Sequence, residues 1–547
     1  MNDILLSVQK PGRYIGNEYN AAKKDPMKAG LKFALCFPDA YEIGMSHLGT
    51  KIIYSILNSQ KDILCERVFA PWPDMETLMR EKGILLASLE NKIPLKDFDI
   101  VGFSLGYELS YTNVINMLEL SGVPILRHER SDNEPIVIAG GICCLNPEPM
   151  SDVFDAFLIG EGEEAILEIT KASLGYRGQG TGAKGKTLKE LARIEGVYVP
   201  GISGKVKRRI VEDLNSAYFP TDFIVPNIEI VHDRVAVEIM RGCPFNCKFC
   251  QANIGYYPKR VRSSENIIKL ALEGIKNTGY EEVSLLSLSS ASHPRLADIL
   301  RELSDNFKGR GVSISLPSLR VDELVKELPS LLARTKKTGL TIAPEAGTER
   351  LRNIINKKID IDELYKSFSS ALKNGWRRIK LYFMIGLPRE EYSDLDGVAD
   401  IVKGLLKEAA RLNVFCEITL SVSSFVPKPH TYFEREAMNT PLELREKRNY
   451  LRDKLRMKNL KINFHNDMQG FLEAVLSRGD GAIGKVIRAA QRDGARFDAW
   501  TSEFKFDVWM RAFEKTTVEP SYYANRKIGA PERMPWDYID MGLGALN

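Results

Sequence analysis

The sequence predicts an α/β protein with a doubly wound parallel sheet, then a partial barrel of six strand–helix repeats, then a mostly helical carboxyl-terminal region. Three observations predict this class: apolar segments alternate with segments of helical spacing, glycines follow several of the apolar segments, and 547 residues exceed what one hydrophobic core holds. The chain divides into a first α/β domain at 31–172, a connecting part at 173–233, the barrel at 234–433 and a helical region at 434–547.

The first domain contains short buried strands that each run into turn residues or glycine. "LKFALCFP", "FDIVGFSL" and "PIVIAGG" are such strands, and "SHLGTKIIYSILNSQ" has the apolar spacing of a helix. "VFDAFLIGEGEEAILEIT" reads as a strand followed by a helix. Strands that alternate with helices and end in glycine predict a parallel sheet with helices on both faces.

A glycine-rich basic stretch at 174–187 predicts a flexible connection, and a second alternating series begins at Arg234. Its helical segments include "VDELVKELPSLLART" at 321–335. Its six candidate strands are "VAVEIM", "EVSLLSL", "VSISLP", "GLTIAP", "RIKLYFMIG" and "FCEITLSV". Six repeats favour an open or partial barrel over an eight-fold one. The remainder has helical spacing and contains Trp500, Trp509 and Trp536.

Composition narrows the function classes. Seventy-six basic and 72 acidic side chains leave a formal charge of +4, which neither supports nor excludes a nucleic-acid partner. No apolar run approaches the roughly 18 residues of a membrane span, and the start "MNDILLSVQK" lacks a signal-peptide layout. Eight cysteines in so long a chain predict reduced thiols in the cytoplasm rather than a disulfide scaffold.

Three of those cysteines lie within eight positions, in "RGCPFNCKFC", directly after the first barrel strand. Their spacing is Cys243-x3-Cys247-x2-Cys250. A structural zinc site would need a fourth ligand, and no second pair of cysteines lies nearby. Three cysteines can instead hold an iron–sulfur cluster and leave one iron open to bind another molecule. The carboxyl end of a barrel strand is where active sites gather.

The cysteine loop resembles the signature of the radical S-adenosylmethionine (SAM) enzymes, including the aromatic Phe249 just before the last cysteine. The resemblance implies that Cys243, Cys247 and Cys250 hold a 4Fe–4S cluster whose open iron binds SAM. It also implies SAM contacts at the ends of later strands. Glu345, Thr348 and Arg350 lie in "APEAGTERLRNIINK", and Gly386 and Pro388 lie in "FMIGLPRE".

The second barrel strand departs from the family pattern. The family usually ends this strand with a Gly-Gly-Glu-like stretch that holds the SAM amino group, whereas this chain has "LLSLSSASH". Ser287 and Ser289 are candidate substitutes, and which residue performs this role stays open.

The first domain resembles the cobalamin-binding domain that many radical SAM enzymes carry. The relevant positions are Asp39, Tyr41, Gly44, Ser104, Gly140 and Gly141. Tyr41 stands where that family has a histidine, and a phenol is a poor partner for cobalt beside neutral imidazole. Cobalt would therefore lack a protein ligand from this position. The alternative is a sheet that keeps the fold without the cofactor.

These resemblances imply an enzyme that cleaves SAM reductively and starts radical chemistry on an unreactive carbon, with methyl transfer where cobalamin is bound. Two alternatives stay open: a cobalamin-free radical SAM modification of RNA or protein, and a non-enzymatic iron–sulfur protein that carries electrons or binds a partner. The enzyme hypothesis implies a reductant such as flavodoxin or ferredoxin. The sequence predicts neither the substrate nor a catalytic residue beyond the cofactor positions.

Overall fold

The computed structural model describes residues 2–175, 182–317 and 340–544. The predicted helix at 321–335 and the centre of the glycine-rich connection, residues 176–181, lie outside the described residues. Within them the α/β class is confirmed. Two groups of parallel strands form, separated by the connecting part, as the two alternating series predict.

The first domain is built on one six-stranded sheet. Its strands are β1 (Leu31–Phe37), β2 (Ile63–Phe69), β3 (Ile100–Ser104), β4 (Ile136–Gly140), β5 (Ala156–Leu158) and β6 (Val197–Tyr198). The order is β2-β1-β3-β4-β5-β6, parallel throughout except for β6. The strand order reverses between β1 and β3, so the ends of these two strands form the crevice where doubly wound sheets bind ligands.

Helices cover both faces of this sheet. They are α1 (Asn2–Leu5), α2 (Gly12–Ile15), α3 (Tyr41–Gly44), α4 (Leu48–Ser59), α5 (Pro73–Lys82), α6 (Tyr111–Leu120), α7 (Ala165–Leu174) and α8 (Ala183–Leu191). Short 3-10 turns lie at Leu95–Asp97, Glu108–Ser110, Arg127–Glu129, Ile142–Leu145 and Glu148–Met150. Successive strand residues enter different cores: Val101 and Phe103 pack in one, and Ile100 in the other. This alternation confirms a doubly wound sheet.

The barrel begins after the short strand β7 (Val206–Lys207). Its further strands are β8 (Val235–Glu238), β9 (Met240–Arg241), β10 (Arg260–Val261), β11 (Glu282–Leu286), β12 (Ser313–Ser315), β13 (Leu340–Glu345), β14 (Arg378–Ile385), β15 (Glu417–Ser424) and β16 (Leu460–Phe464). Two parallel sheets form, β8-β11-β12 and β13-β14-β15-β16, and β9 and β10 make a small antiparallel pair. The six predicted barrel strands are all present.

The helices of the barrel pack against the outer faces of these strands. They are α9 (Gln251–Gly255), α10 (Ser264–Thr278), α11 (Leu296–Phe307), α12 (Glu349–Ile354), α13 (Ile361–Lys373) and α14 (Tyr392–Arg411), with a 3-10 turn at Ser290–Ser292. In the part of the chain that the structure describes, no helix is long and apolar enough to cross a membrane.

The carboxyl-terminal region adds a strand to the barrel before it turns helical. Strand β16 pairs in parallel with β15, inside the region that the sequence predicts to be mostly helical. The helices that follow or precede it are α15 (Pro441–Lys454), α16 (Asp467–Ser477), α17 (Gly481–Arg492), α18 (Phe506–Thr516) and α19 (Pro520–Ala524). A last strand, β17 (Ile539–Asp540), pairs with β7. Helix α17 packs against α6, so this region also covers the first domain.

Candidate iron–sulfur and SAM site

The cysteine loop starts at the carboxyl end of β8 and is closed by the β9–β10 pair. Gly242 opens it with a φ of 79°, and a side chain there would lie 2.7 Å from the carbonyl oxygens of Tyr256 and Pro258. Only glycine fits this close backbone approach. The geometry therefore holds the loop that carries Cys243, Cys247 and Cys250 tightly against its own returning strand.

The three thiols of the loop are half-buried. Burial raises the pKa of Cys247 to about 11, against the opposing pull of the Lys357 ammonium, and burial also raises the pKa of Cys250. Among the described residues no three His, Cys, Asp or Glu side chains lie close enough together to hold one metal ion. Three cysteine thiols on one loop are the ligand type and number that can hold an iron–sulfur cluster with one iron left open.

Neighbouring elements fix the loop in place. The backbone N–H of Lys248 donates to the carbonyl of Ile355 at 3.0 Å, at the end of α12. The Asn356 amide donates to the carbonyl of Asn246 at 2.7 Å, and the Asn246 amide donates to the Tyr432 hydroxyl at 2.9 Å. These bonds tie the loop to the segments after β13 and after β15.

Phe249, the predicted aromatic of the motif, packs against a small apolar cluster. This cluster comprises Ala346, Leu351, Ile355, Leu387, Phe425 and Phe433. Its members follow β13, β14 and β15, so the ring anchors the cysteine loop to the ends of three other barrel strands. The structure thus gives Phe249 a packing role beside the predicted SAM site.

Glu345 lies next to the thiols. It ends β13 at a bulge with a φ of 68°, and its carboxylate is 3.5 Å from the Lys357 ammonium. Burial raises the pKa of Glu345, and Lys357 opposes that rise. A non-glycine residue in the left-handed region signals a local constraint, and here the bulge turns a carboxylate toward the cysteine loop.

Thr348 and Arg350 face a different partner, the buried carboxylate of Asp394 at the start of α14. The Thr348 hydroxyl and the Arg350 guanidinium both donate to Asp394, and Thr348 also caps α12 by accepting from the Leu351 N–H. Arg350 additionally donates to the carbonyl of Arg389 at 3.1 Å. In this arrangement both side chains hold the ends of β13 and β14 together.

The segment after β14 contains the predicted Gly386 and Pro388. Gly386 has a φ of 77°, and its N–H donates to the Glu390 carboxylate at 2.8 Å. Glu390 is itself paired with Lys447 at 2.6 Å. Pro388 follows in the turn. The turn thus brings backbone to the barrel mouth and leaves no side chain at Gly386.

The serines at the end of the second barrel strand bond mainly to one another. Ser287 Oγ donates to Ser290 Oγ at 3.1 Å, and the hydroxyls of Ser289 and Ser292 are 2.9 Å apart. The identity of the residue that would replace the family's Gly-Gly-Glu contact stays a prediction.

In the first domain, the predicted positions after β1 have protein partners. The Asp39 carboxylate accepts from the indole N–H of Trp500 at 2.8 Å. The Tyr41 hydroxyl donates to Glu18 at 3.0 Å, and burial raises its pKa. A side chain at Gly44 would lie 2.2 Å from Phe69. The crevice is therefore covered by the carboxyl-terminal region on this side, and the Tyr41 hydroxyl is engaged by Glu18.

The predicted positions after β3 and β4 are more open. A methyl group placed on Gly106, beside Ser104, would meet nothing within 4 Å, and one on Gly140 would meet only Leu158 at 4.0 Å. Gly141 has a φ of 116° and approaches the Leu105 carbonyl, which excludes a side chain. These strand ends leave space beside the sheet, so the residues after β3 and β4 fit a bound cofactor better than those after β1.

A buried lysine joins the first domain, the barrel and the carboxyl-terminal helices. Lys428, in the loop after β15, donates to Glu108 at 2.8 Å, to Ser477 at 2.9 Å and pairs with Glu473 at 2.7 Å. Burial disfavours its charge, but Glu108 and Glu473 outweigh burial and raise its pKa. Tyr107 donates to Glu473 at 2.7 Å. The partners of Lys428 lie far away along the chain, so the sequence alone does not reveal these contacts.

Arg208, from the connecting part, is a second buried contact that the sequence does not reveal. Its guanidinium donates to the carbonyls of Ile254, Gly255 and Tyr257, which end α9 directly after the cysteine loop. It also donates to the carbonyl of Met541 at 3.2 Å. One side chain thus satisfies the orphan carbonyls of this helix and links them to the last strand.

Comparison with known proteins agrees with this arrangement. Residues 237–402 match the family model of the radical SAM superfamily, and residues 49–200 match that of the N-terminal part of radical SAM proteins. A three-cysteine loop at the first strand of a partial barrel, joined to a doubly wound sheet, defines an iron–sulfur class of enzyme. The chain belongs to the radical SAM superfamily and is a radical SAM enzyme.

Its relatives include an uncharacterized protein of Methanocaldococcus jannaschii, 29% identical over 490 residues that cover 89% of this chain and 97% of that protein. The radical SAM methyltransferase TsrM from Kitasatospora setae, solved with cobalamin and a 4Fe–4S cluster, has a TM-score of 0.51 at 12% identity and 74% coverage of each chain. The cobalamin-dependent SAM radical enzyme OxsB, with aqua-cobalamin, has a TM-score of 0.52 at 13% identity, covering 90% of this chain and 72% of its own. These structures show the fold, with a cobalamin-binding-like first domain.

Proposed function

We propose that this protein cleaves SAM reductively at a 4Fe–4S cluster and uses the resulting radical on an unreactive carbon of its substrate. The observation that carries the proposal is the set of three half-buried thiols, Cys243, Cys247 and Cys250, on one tightly closed loop. The bound cluster supplies the electron that breaks a carbon–sulfur bond of SAM. Cys243, Cys247 and Cys250 would hold the cluster, and an iron without a protein ligand would be available to bind SAM.

The side chains around the loop would bind and orient SAM. Glu345, half-buried near Cys247, can accept hydrogen bonds from ribose hydroxyls, and the Lys357 side chain lies 3.5 Å from it. The Gly386–Pro388 turn lets backbone approach the adenine. Thr348 and Arg350 would act on SAM binding indirectly. Both donate hydrogen bonds to Asp394 and so hold the ends of β13 and β14 in place.

Methyl transfer from methylcobalamin is the reaction that we propose for the first domain together with the barrel. It is supported by the likeness to TsrM and OxsB and by the open space at Gly106, beside Ser104, and at Gly140. Cobalamin held there supplies a methyl group. The chain would contribute the glycine-lined strand ends and no cobalt ligand from Tyr41, whose hydroxyl already bonds Glu18.

A cobalamin-free modification of RNA or protein is the second candidate, and one observation favours it. Trp500 covers Asp39 at the switch point of the first sheet. In either case we propose a cytoplasmic enzyme that receives its electron from a flavodoxin or ferredoxin.

One anaerobic experiment tests these proposals together. Protein purified without oxygen is analysed for iron, sulfide and cobalt, with and without added hydroxocobalamin, and is then incubated with dithionite and SAM. We expect four irons per chain and formation of 5'-deoxyadenosine. A loaded cluster that yields no 5'-deoxyadenosine overturns the enzyme proposal, and failure to retain cobalamin at stoichiometric levels overturns methyl transfer and favours the second candidate.

A further inference from the structure

The inner face of the β13–β16 sheet is polar, in contrast to its outer face. In β14, Ile379, Leu381 and Phe383 are buried in the main hydrophobic core beneath α13 and α14. The residues between them, Lys380 and Tyr382, are half-buried and point to the opposite face. That opposite face lines the inside of the barrel.

The strand register extends this polar face across the sheet. Residues that pair across parallel strands lie on the same face, so each row can be read from the pairing. One row comprises Thr341, Lys380, Thr419 and Lys461, and the next row comprises Tyr382, Ser421 and Asn463. Lys461 and Asn463 are exposed on the edge strand β16, whereas Lys380 is half-buried between the in-register residues Thr341 and Thr419. A lysine between two hydroxyl-bearing residues is unusual for a barrel interior, which branched apolar side chains ordinarily fill.

Two serines on the other barrel sheet lie in register with each other. Ser284 of β11 pairs in register with Ser315 of β12, and both hydroxyls are buried without a hydrogen-bond partner among the described residues. Their neighbours Val283 and Leu285 pack outward under α10 and α11, so the serines also point inward. Buried hydroxyls are nearly always bonded, and two together without a partner indicate a place for a ligand.

The charges of this interior are not balanced. Neither Lys380 nor Lys461 forms an ion pair within the described ranges, and the Lys380 ammonium lies 4.7 Å from the centre of the Tyr382 ring. The inward carboxylates nearest the mouth are already paired, Glu238 with Arg241 and Glu345 with Lys357.

Two further charged residues lie at the starts of the same strands. Arg378 and Glu417 pair in register, and both are exposed at the bottom of the barrel. They carry opposite charges, so they leave the excess of positive charge inside unchanged.

We propose that this inner face, with Lys380 at its centre, binds an anionic group of the substrate, a carboxylate or a phosphate. The lysine supplies a point charge, and the hydroxyls of Thr341, Thr419, Ser284 and Ser315 supply further hydrogen bonds. Lys380 lies about 16 Å along β14 from the strand end at the barrel mouth. The site would therefore hold the part of the substrate that lies away from the reacting carbon. This inference rests on the proposed function, because it names the substrate class for that barrel.

Anion binding to the cluster-loaded protein tests the inference without needing the substrate. Anaerobic calorimetric titrations use inorganic pyrophosphate in one arm and succinate in the other, on wild type, K380A, K461A and K380R. The control is K269A, which removes an exposed lysine from the outer helix α10. We expect one of the two anions to bind wild type and K269A with the same affinity. Its affinity should be at least about tenfold lower for K380A and should return to the wild-type value in K380R.

The two arms separate the sources of negative charge: tighter pyrophosphate binding assigns a phosphate site, and tighter succinate binding assigns a carboxylate site. No binding of either anion to wild type, or equal binding to K380A, overturns the inference. The formation of 5'-deoxyadenosine by the same wild-type preparation is measured beside it. A preparation that cleaves SAM but binds no anion contradicts this inference alone, whereas one that binds the anion but does not cleave SAM contradicts the proposed function.

Discussion

The sheet of the first domain and the barrel present the carboxyl ends of their strands in opposite ways. At the edge of the first sheet, the carboxyl-terminal region covers the crevice, with Trp500 bonded to Asp39 and the N–H of Phe497 bonded to Asn113 at 2.8 Å. At the barrel mouth the thiols of the cysteine loop stay half-exposed. The same strand–helix construction therefore gives a covered edge and an open one.

The difference lies in where polar groups find their partners. Over the first sheet, Thr112 donates to Asp498 at 2.6 Å and Trp509 donates to the same carboxylate at 2.9 Å. These polar groups therefore have hydrogen-bond partners within the protein. Inside the barrel, Ser284 and Ser315 have no partner among the described residues. Satisfied polar groups stabilise an interface, whereas a buried hydroxyl without a partner is costly unless a ligand or water bonds it. The comparison predicts which edge tolerates change and which does not.

The largest effect should come from the open edge. We expect C250A to lose the cluster and all formation of 5'-deoxyadenosine, because two cysteines cannot hold it. The control is C144A, which truncates a buried thiol of the first domain and should keep the iron. Iron and sulfide analysis with electron paramagnetic resonance of the reduced protein checks both. A C250A protein that keeps its cluster would break the comparison.

The next effect concerns the joint between the two edges. K428M leaves Glu108 and Glu473 buried without their cation, so we expect the free energy of unfolding to fall by about 3–5 kcal/mol. K10M, which removes a lysine that is 61% exposed, should cost less than about 1 kcal/mol. Urea unfolding measures both variants. Equal losses in the two would show that Lys428 does not join the domains.

Acid should weaken the contact between the first domain and the barrel. His430 bonds the Leu145 carbonyl through Nε2 at 3.0 Å, and burial lowers its pKa to about 4, although Asp537 opposes this. Between about pH 6.5 and 4, this histidine therefore binds a proton in the unfolded chain but not in the folded protein. Stability is therefore complete above about pH 6.5 and falls, by up to about 3 kcal/mol, as the pH drops toward 4.

The variant H430N isolates this contribution, because asparagine tolerates the left-handed backbone at this position, where φ is 62°. We expect its stability to depend less on pH between 6.5 and 4, as measured by urea unfolding at each pH. His47 also has a pKa lowered to about 4, so it still makes stability depend on pH in the variant. The substitution should therefore remove only part of the pH dependence. An unchanged pH profile would contradict the role of His430.

The smallest effect should come from the covered edge. W500F keeps a ring against Trp72 but removes the N–H that Asp39 accepts, so we expect a loss of about 1 kcal/mol. Y392F, on an exposed tyrosine, should change little. The variant W500A tests whether Trp500 blocks the crevice. If W500A retains cobalamin and wild type does not, the tryptophan excludes the cofactor. Absorbance after gel filtration with hydroxocobalamin measures this.

The sequence predicts much of the fold because its signals are local. All six barrel strands follow from apolar runs, and the cysteine loop follows from three residues within eight positions. Strand β16 is not predicted, although "LKINF" alternates apolar and polar residues as a strand does. The helical spacing of the residues around it in 434–547 outweighs that short alternation, so the seventh parallel strand is absent from the prediction.

The contacts that join the parts could not be predicted, because they depend on tertiary placement. The residues around Asp39 in the sequence do not indicate its hydrogen bond with Trp500, and those around Lys428 do not indicate its ion pair with Glu108. The predicted SAM contacts at Thr348 and Arg350 illustrate the same limit. Their motif is readable, but the Asp394 that both side chains meet lies on a later helix.

The guanidinium of Arg208 has a practical consequence for handling this enzyme. Because it bonds both the helix that follows the cysteine loop and the carbonyl of Met541, it links the predicted cluster-binding loop to residues near the opposite end of the chain. Proteolysis around Trp536 would therefore lower the amount of iron that the protein incorporates. A preparation with little iron should be checked by mass spectrometry for cleavage before the loss is attributed to oxygen.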